Sequence, residues 1–184
     1  MRLENSFEVP APPERAWALL MDVPRIIPCM PGATLDEAVD EEHWKATMAV
    51  NLGPISLSFK TDVKREGTDE AARRAKLSAR AREARGKGNA SATIESSLTP
   101  QNGGTKVDIV TDLQLTGPVA QYGRGLVQDV SSQLVGQFAD CLQKQLGASP
   151  EETAAAAAEE SRPVSGLRLG LAALWRSLVR LFGR

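Results

Sequence analysis

The chain has 184 residues, of which 42% are hydrophobic and 24% charged, and its net charge is −1. This length fits one domain with an appendage, and the apolar content supports a packed core. No apolar stretch reaches the length of a membrane span and no signal peptide opens the chain, so we expect a cytoplasmic protein. Cys29 and Cys141 lack metal-ligand spacing and are predicted to be buried free thiols.

The first elements follow from apolar periodicity. Alternating residues over 3–9 predict a half-buried strand, which the prolines after it end. The following residues predict a helix, because Trp17, Leu20 and Met21 recur on one of its sides. Residues 26–30 predict a second, short helical piece.

Six further strands are predicted from period-2 alternation between turn residues. They are expected near residues 35–39, 44–52, 55–63, 75–81, 90–98 and 107–115. Asn102-Gly103-Gly104 predicts a hairpin turn between the last two strands.

A long helix is predicted to begin at Gly117-Pro118 and to end at Gly147. Its apolar stripe comprises Val119, Tyr122, Leu126, Val130, Leu134, Phe138 and Leu142. The order of elements therefore predicts an α+β fold in which a curved antiparallel sheet grips this helix.

The chain divides into three predicted parts. Residues 1–147 form the ligand-binding domain, and residues 148–165 are a flexible linker rich in Ala and Glu. Residues 166–184 carry four Arg and no acid, which indicates a basic amphipathic helix that lies on a membrane surface. The alternative is a helix that docks on the domain or on a partner. The predicted membrane-binding residues are Leu167, Leu171, Leu174, Trp175, Arg176, Leu178, Arg180, Leu181 and Phe182.

Small inward residues suggest that the domain is hollow. Two adjacent strands present mainly alanines to the core, and the facing helix contains Gly123, Gly125 and Gly136. The small residues either let the helix pack tightly or leave room for a ligand. The predicted apolar lining of such a cavity is Trp17, Met30, Met48, Leu57, Phe59, Ala79, Ala92, Ile94, Tyr122 and Leu126.

Few residues suggest catalysis or a metal site. The single histidine, His43, falls on the outward side of its strand, and no nucleophile or phosphate-loop motif occurs. A basic cluster between Arg73 and Lys87 predicts either a solvated strand face or a surface that docks anionic lipid or an acidic partner. No aromatic stacking platform accompanies it, which argues against nucleic acid.

Several short collinear motifs resemble the CoxG family of carbon monoxide dehydrogenase accessory proteins, which is part of the START/Bet v 1-like (SRPBCC) superfamily. They are Cys29-Met-Pro-Gly-Ala33, Asn51-Leu-Gly-Pro-Ile55, the stretch from Gly86 to Ile94, Gln121-Tyr-Gly-Arg-Gly-Leu126 and Phe138-Ala-Asp-Cys141. The resemblance implies a helix-grip fold, with a seven-stranded antiparallel sheet around a C-terminal helix and an apolar cavity.

The same resemblance implies a function. It suggests an accessory protein of a molybdenum-containing carbon monoxide dehydrogenase, at the inner face of the cell membrane. The expected ligand is a quinone, either menaquinone or ubiquinone, with no covalently bound cofactor and no chemistry of the chain's own. The rivals are a recruiter or maturation factor without a quinone role and a cyclase-type enzyme. The cyclase would need polar residues in the cavity, where Asn5, Thr61, Ser96 and Thr111 are the inward candidates.

Overall fold

Seven strands pair into one antiparallel sheet in the computed structural model, which describes residues 1–52, 55–121 and 123–147. The elements in chain order are β1 Arg2–Val9, α1 Pro13–Met21, α2 Val23–Ile26, a 3-10 helix Ile27–Cys29, β2 Ala33–Ala38, β3 His43–Leu52, β4 Ile55–Asp69, β5 Arg74–Glu83, β6 Asn89–Gln101, β7 Gly104–Thr116, a 3-10 helix Pro118–Gln121 and α3 Arg124–Gly147.

The strand order across the sheet is β1-β7-β6-β5-β4-β3-β2. Strands β2 to β7 follow one another as antiparallel neighbours, and β1 returns to pair with β7. Helices α1 and α2 therefore carry the chain from one edge of the sheet to the other. The predicted α+β architecture, with a seven-stranded sheet and a C-terminal helix, is confirmed.

The β6–β7 hairpin forms where the sequence predicts it. Asn102 and Gly103 both have positive φ, at 50° and 79°, and Gln101 pairs with Gly104. Two consecutive residues of positive φ suit the right-handed twist of the flanking strands, and Asn-Gly adopts them at little cost.

The main hydrophobic core lies where α1 and the C-terminal half of α3 meet the sheet. Its buried residues include Trp17, Leu19, Val107, Phe138 and Leu142. The Phe7 ring packs edge-on against Phe138, with 6.1 Å between ring centroids. This core holds the helices to the sheet at one end of the domain.

The structure corrects two predictions. The long helix begins at Arg124 rather than at Pro118, because residues 118–121 form a separate 3-10 helix after Gly117, whose φ is 75°. The cysteines are not free thiols, since Cys29 and Cys141 form a disulfide with 5.3 Å between their Cα atoms. They are 112 residues apart in sequence, and the fold brings them together.

No helix within the described residues is long and apolar enough to cross a membrane. The predicted linker over residues 148–165 and the predicted amphipathic helix over residues 166–184 lie outside the described residues.

Candidate ligand-binding cavity

A cavity of about 530 Å³ lies between the inward face of the sheet and α3. The lining residues are almost all apolar, and they come from every strand except β1 and from all three α-helices. On β4 they run from Leu57 to Arg65, eight residues apart. At about 3.3 Å per residue the cavity therefore follows roughly 26 Å of strand. An elongated apolar cavity of this kind suits an extended apolar molecule.

Helix α3 covers the cavity unevenly. Its buried residues are Phe138, Ala139, Leu142 and Leu146, all in its C-terminal half. Residues of its first half line the cavity without being buried, and Leu126 is 41% exposed. The first turns of α3 thus lie beside an opening, whereas its last turns belong to the core.

The three glycines near and within α3 decide between tight packing and open space. A Cβ added at Gly123, Gly125 or Gly136 would meet no atom within 4 Å, and all three residues are exposed. Close packing against the sheet therefore does not explain these glycines. The small residues on the strands act differently, since Ala75, Ala81, Ala90 and Ala92 line the cavity.

Three lining residues carry polar groups: Thr61, Arg65 and Ser96. The Thr61 hydroxyl donates to the Phe59 carbonyl at 3.5 Å, a long contact. Among the described lining residues there is no His, Asp, Glu, Lys or Tyr, so Arg65 is their one charged group. The described residues also include no cluster of metal-ligating side chains.

Arg65 is held by two neighbours at the end of the cavity near α1. Its guanidinium donates a hydrogen bond of 2.6 Å to the Met21 carbonyl, at the last residue of α1. The guanidinium carbon lies 5.1 Å from the centroid of the Trp44 ring, within the range of a cation–π contact. Its Nε is buried and has no hydrogen-bond partner within the described part of the chain, and no carboxylate there lies within 4.0 Å of it.

Most of the predicted cavity residues line the cavity. They are Met30, Met48, Leu57, Phe59, Ala92, Ile94 and Leu126. Strand alternation predicted the strand members, because directly opposed residues of adjacent strands share a face. Their role in ligand binding stays a prediction.

Three predicted cavity residues stand differently. Trp17 packs in the main core, because its side of α1 faces the sheet and α3, while the neighbouring Leu20 and Met21 line the cavity. Ala79 faces inward, opposite Val63 and Ala92, but it is not a lining residue, since its single methyl group reaches only a short way from the sheet. Tyr122 lies outside the described residues.

The sequence prediction missed the part of the lining contributed by α1, α2 and the residues just after them. These residues are Leu20, Met21, Val23, Ile26 and Ile27. Their apolar character was visible, but strand phase gives no information about a crossover segment. It also missed Arg65, although Arg65 continues the inward alternation of Phe59, Thr61 and Val63. Of the polar candidates, Asn5 instead donates to Ser131 Oγ at 3.1 Å, and Thr111 is not among the lining residues.

The outward face of the sheet carries the predicted basic cluster. Arg74, Lys76, Arg80 and Arg82 are exposed on β5, and Lys76 forms an ion pair of 3.0 Å with Glu95. His43 lies on the same outward face and contacts Asp62 at 3.2 Å. These residues lie on the opposite face of the sheet from the cavity.

Glu83 ends β5 as a buried carboxylate, with 2% of its surface exposed. The backbone N–H groups of Lys87 and Arg85 donate to its Oε2 at 3.0 and 2.7 Å. These hydrogen bonds, with that of Lys87 the largest contribution, lower the pKa of Glu83 below its ordinary value, against the effect of burial. Glu83 thus fixes the turn that leads into β6.

A curved seven-stranded sheet closed over a cavity by a C-terminal helix defines a START/Bet v 1-like helix-grip protein. Three solved structures share this fold at low sequence identity. A conserved protein from Geobacillus kaustophilus aligns with a TM-score of 0.71 at 21% identity, covering 80% of this chain and 95% of that one. An aromatase/cyclase from Streptomyces sp. R1128 gives 0.56 at 13%, covering 80% and 93%. A START superfamily protein from Mycobacterium smegmatis gives 0.52 at 15%, covering 79% and 97%.

The chain belongs to the carbon monoxide dehydrogenase family CoxG, whose family model matches residues 6–147. The resemblance found from the sequence motifs is therefore confirmed. No curated protein matches the chain. Membership of this family suggests an accessory role beside a carbon monoxide dehydrogenase.

Proposed function

We propose that the chain is a carrier of an apolar ligand, a quinone such as menaquinone or ubiquinone, for a molybdenum-containing carbon monoxide dehydrogenase. The observation that carries this proposal is the elongated cavity of about 530 Å³ with its almost wholly apolar lining. A prenylated quinone matches it, because its long tail is apolar and its ring offers few polar atoms. Family membership supports the choice of the partner enzyme.

The carrier links the enzyme to the membrane respiratory chain. In this proposal the predicted amphipathic helix over residues 166–184 binds the inner face of the membrane, and the cavity receives the quinone there. The dehydrogenase then reduces the bound quinone, and the carrier itself contributes no chemical step. A peripheral location of this kind needs no spanning helix.

The cavity lining favours a carrier over a cyclase-type enzyme. General acid–base catalysis needs titratable side chains within hydrogen-bond reach of the substrate. The described lining offers two hydroxyls and one arginine, and an arginine stays protonated at physiological pH. The likeness to the Streptomyces aromatase/cyclase, at 13% identity, extends to the fold alone.

The test is to purify the full chain after exposure to membranes, extract bound lipid and identify it by mass spectrometry. We expect one quinone per chain at most, enriched over the phospholipids of the same membranes. Ala92→Phe, which places a ring inside the cavity, should abolish this co-purification. Thr93→Phe is the matched control, because it places the same ring on the outward face of the same strand. Absence of quinone from the wild-type chain would overturn the carrier.

Deletion of residues 149–184 separates the carrier from a recruiter without a quinone role. A carrier without its predicted membrane helix should still bind quinone in detergent, although it no longer extracts quinone from vesicles. A recruiter binds none in either case. The second result would leave an accessory role in place and remove the ligand from it.

A further inference from the structure

We propose that Arg65 is the polar anchor of the cavity and that its guanidinium binds an acceptor oxygen on the head of the apolar ligand. This inference rests on the proposed carrier function and specifies which end of the ligand lies where. The head would lie at the α1 end of the cavity, beside Met21, and the apolar tail would run along β4 towards Leu57.

Arg65 is an unusual residue for its position. It follows Phe59, Thr61 and Val63 on the inward face of β4, where the alternation calls for an apolar side chain. The register shifts directly after it, between Arg65 and Gly67, so the strand is irregular at this point. Bulges of this kind often redirect a side chain next to a functional site.

The neighbours of the guanidinium satisfy only part of it. The Met21 carbonyl, at the C-terminus of α1, accepts one hydrogen bond and favours a positive charge. The Trp44 ring lies against one side at 5.1 Å. Nε is buried and has no acceptor in residues 1–52, 55–121 and 123–147. A buried donor without an acceptor is unfavourable, so an oxygen of a ligand in the same cavity would complete its hydrogen bonding.

The chemistry selects the class of ligand. A carboxylate partner would neutralise Arg65, but no ion pair of Arg65 occurs among the described residues. The guanidinium is therefore available to a carbonyl or carboxylate oxygen, with which its planar donors form charge-assisted hydrogen bonds. Ser96 offers a hydroxyl from β6, where its neighbour Ala75 on β5 is also a lining residue. A quinone ring presents carbonyl oxygens and a fatty acid presents a carboxylate, and both fit this description.

The test compares two probes that differ in the head oxygens alone. The probes are 2-methyl-1,4-naphthoquinone and 2-methylnaphthalene, which has the same rings without the carbonyl groups. Binding to the full chain is measured by calorimetry. Arg65→Met keeps an apolar stem but removes the donors, and we expect it to weaken quinone binding roughly 10- to 100-fold. Binding of 2-methylnaphthalene should stay within about twofold of the wild type. Hexadecanoate is the third probe and represents the fatty-acid source.

Two further variants separate an anchor from a merely structural arginine. Arg65→Lys keeps the charge and can still reach the Met21 carbonyl, but it lacks the planar guanidinium, so it should recover quinone binding only in part. Lys64→Met removes an exposed cation on the outward face of the same strand and should change nothing. Equal weakening of both ring probes by Arg65→Met would show a structural role and overturn the anchor.

The outcomes distinguish the anchor from the carrier. If the wild-type chain binds neither ring probe and no hexadecanoate, the carrier fails. If it binds the quinone and Arg65→Met binds it equally well, the anchor fails and the carrier stands. If hexadecanoate binds more tightly than the quinone and Arg65→Met abolishes that binding, the anchor stands and the quinone assignment fails.

Discussion

Cys29 on the 3-10 helix before β2 is bonded to Cys141 on α3. The bond lies at the end of α3 that belongs to the main core, where Phe138, Leu142 and Leu146 are also buried. Gln145 Nε2 additionally donates to Cys29 Sγ at 3.2 Å. The C-terminal half of α3 is thus fixed covalently and by packing, while its first half borders the opening of the cavity.

Removal of this disulfide should destabilise the domain. Cys141→Ala opens a loop of more than 100 residues, and we expect a loss of about 2–4 kcal/mol in the free energy of unfolding, measured by urea titration. Reducing agent should lower the stability of the wild-type chain by a similar amount and leave the variant unchanged. A wild-type chain indifferent to reductant would contradict a stabilising bond.

Gly136→Ala should stabilise the domain. Gly136 is an exposed residue within α3, and an added Cβ would meet no atom within 4 Å. Alanine loses less backbone entropy on helix formation, so the free energy of unfolding should rise by about 0.5–1 kcal/mol. The measurement is a thermal melt followed by circular dichroism. A lower melting temperature would mean that the glycine serves a contact or motion of the helix.

The same substitution at Gly88 should have the opposite sign. Gly88 has φ of 131°, and a Cβ there would lie 2.1 Å from the Thr116 carbonyl oxygen. Both the backbone conformation and the close approach disfavour alanine, so Gly88→Ala should cost more than about 1 kcal/mol. The two alanine variants, measured side by side, separate the effect of local conformation from that of composition.

Thr105→Val should destabilise the junction of β1 and β7. Thr105 is fully buried, and its hydroxyl donates to the Ala11 carbonyl at 2.7 Å. Valine has the same shape but leaves this buried carbonyl without that donor, at a cost of about 1–3 kcal/mol. Thr99→Val, at an exposed position of β6, is the control and should change stability by less than about 0.5 kcal/mol. Equal effects at both sites would count against the hydrogen bond.

Glu83→Gln should lower stability in a pH-dependent way. Because folding lowers the pKa of Glu83 below the ordinary value of 4.5, its contribution is fully present above that pH and is lost as the pH falls through the lower, folded-state pKa. Wild type and variant should therefore differ most near neutral pH and converge in acid. Unfolding curves from pH 7 to pH 3 check this, with Glu70→Gln at an exposed turn as the control. A difference independent of pH would contradict the charged-state explanation.

Strand positions and inward faces followed from the sequence because side chains alternate with a period of two. Alternation placed Met48, Leu57 and Phe59 on one inner face, and these residues line the cavity. The Asn102-Gly103 turn followed from local conformational preference in the same way. Trp17 was misplaced because helical periodicity defines a face without saying what covers it, and two different surfaces face α1.

The sequence by itself therefore determined the order of elements, the sheet faces, the hairpin and the family, since each depends on local pattern or on collinear motifs. Tertiary structure alone decided the bond between Cys29 and Cys141, because closure of a contact over 112 residues depends on the whole path of the chain. It alone decided that the glycines of α3 face open space. It also decided that Arg65, one more residue in an alternating strand, lies as a charged group beside Trp44 in an apolar cavity, because its burial depends on elements distant in sequence.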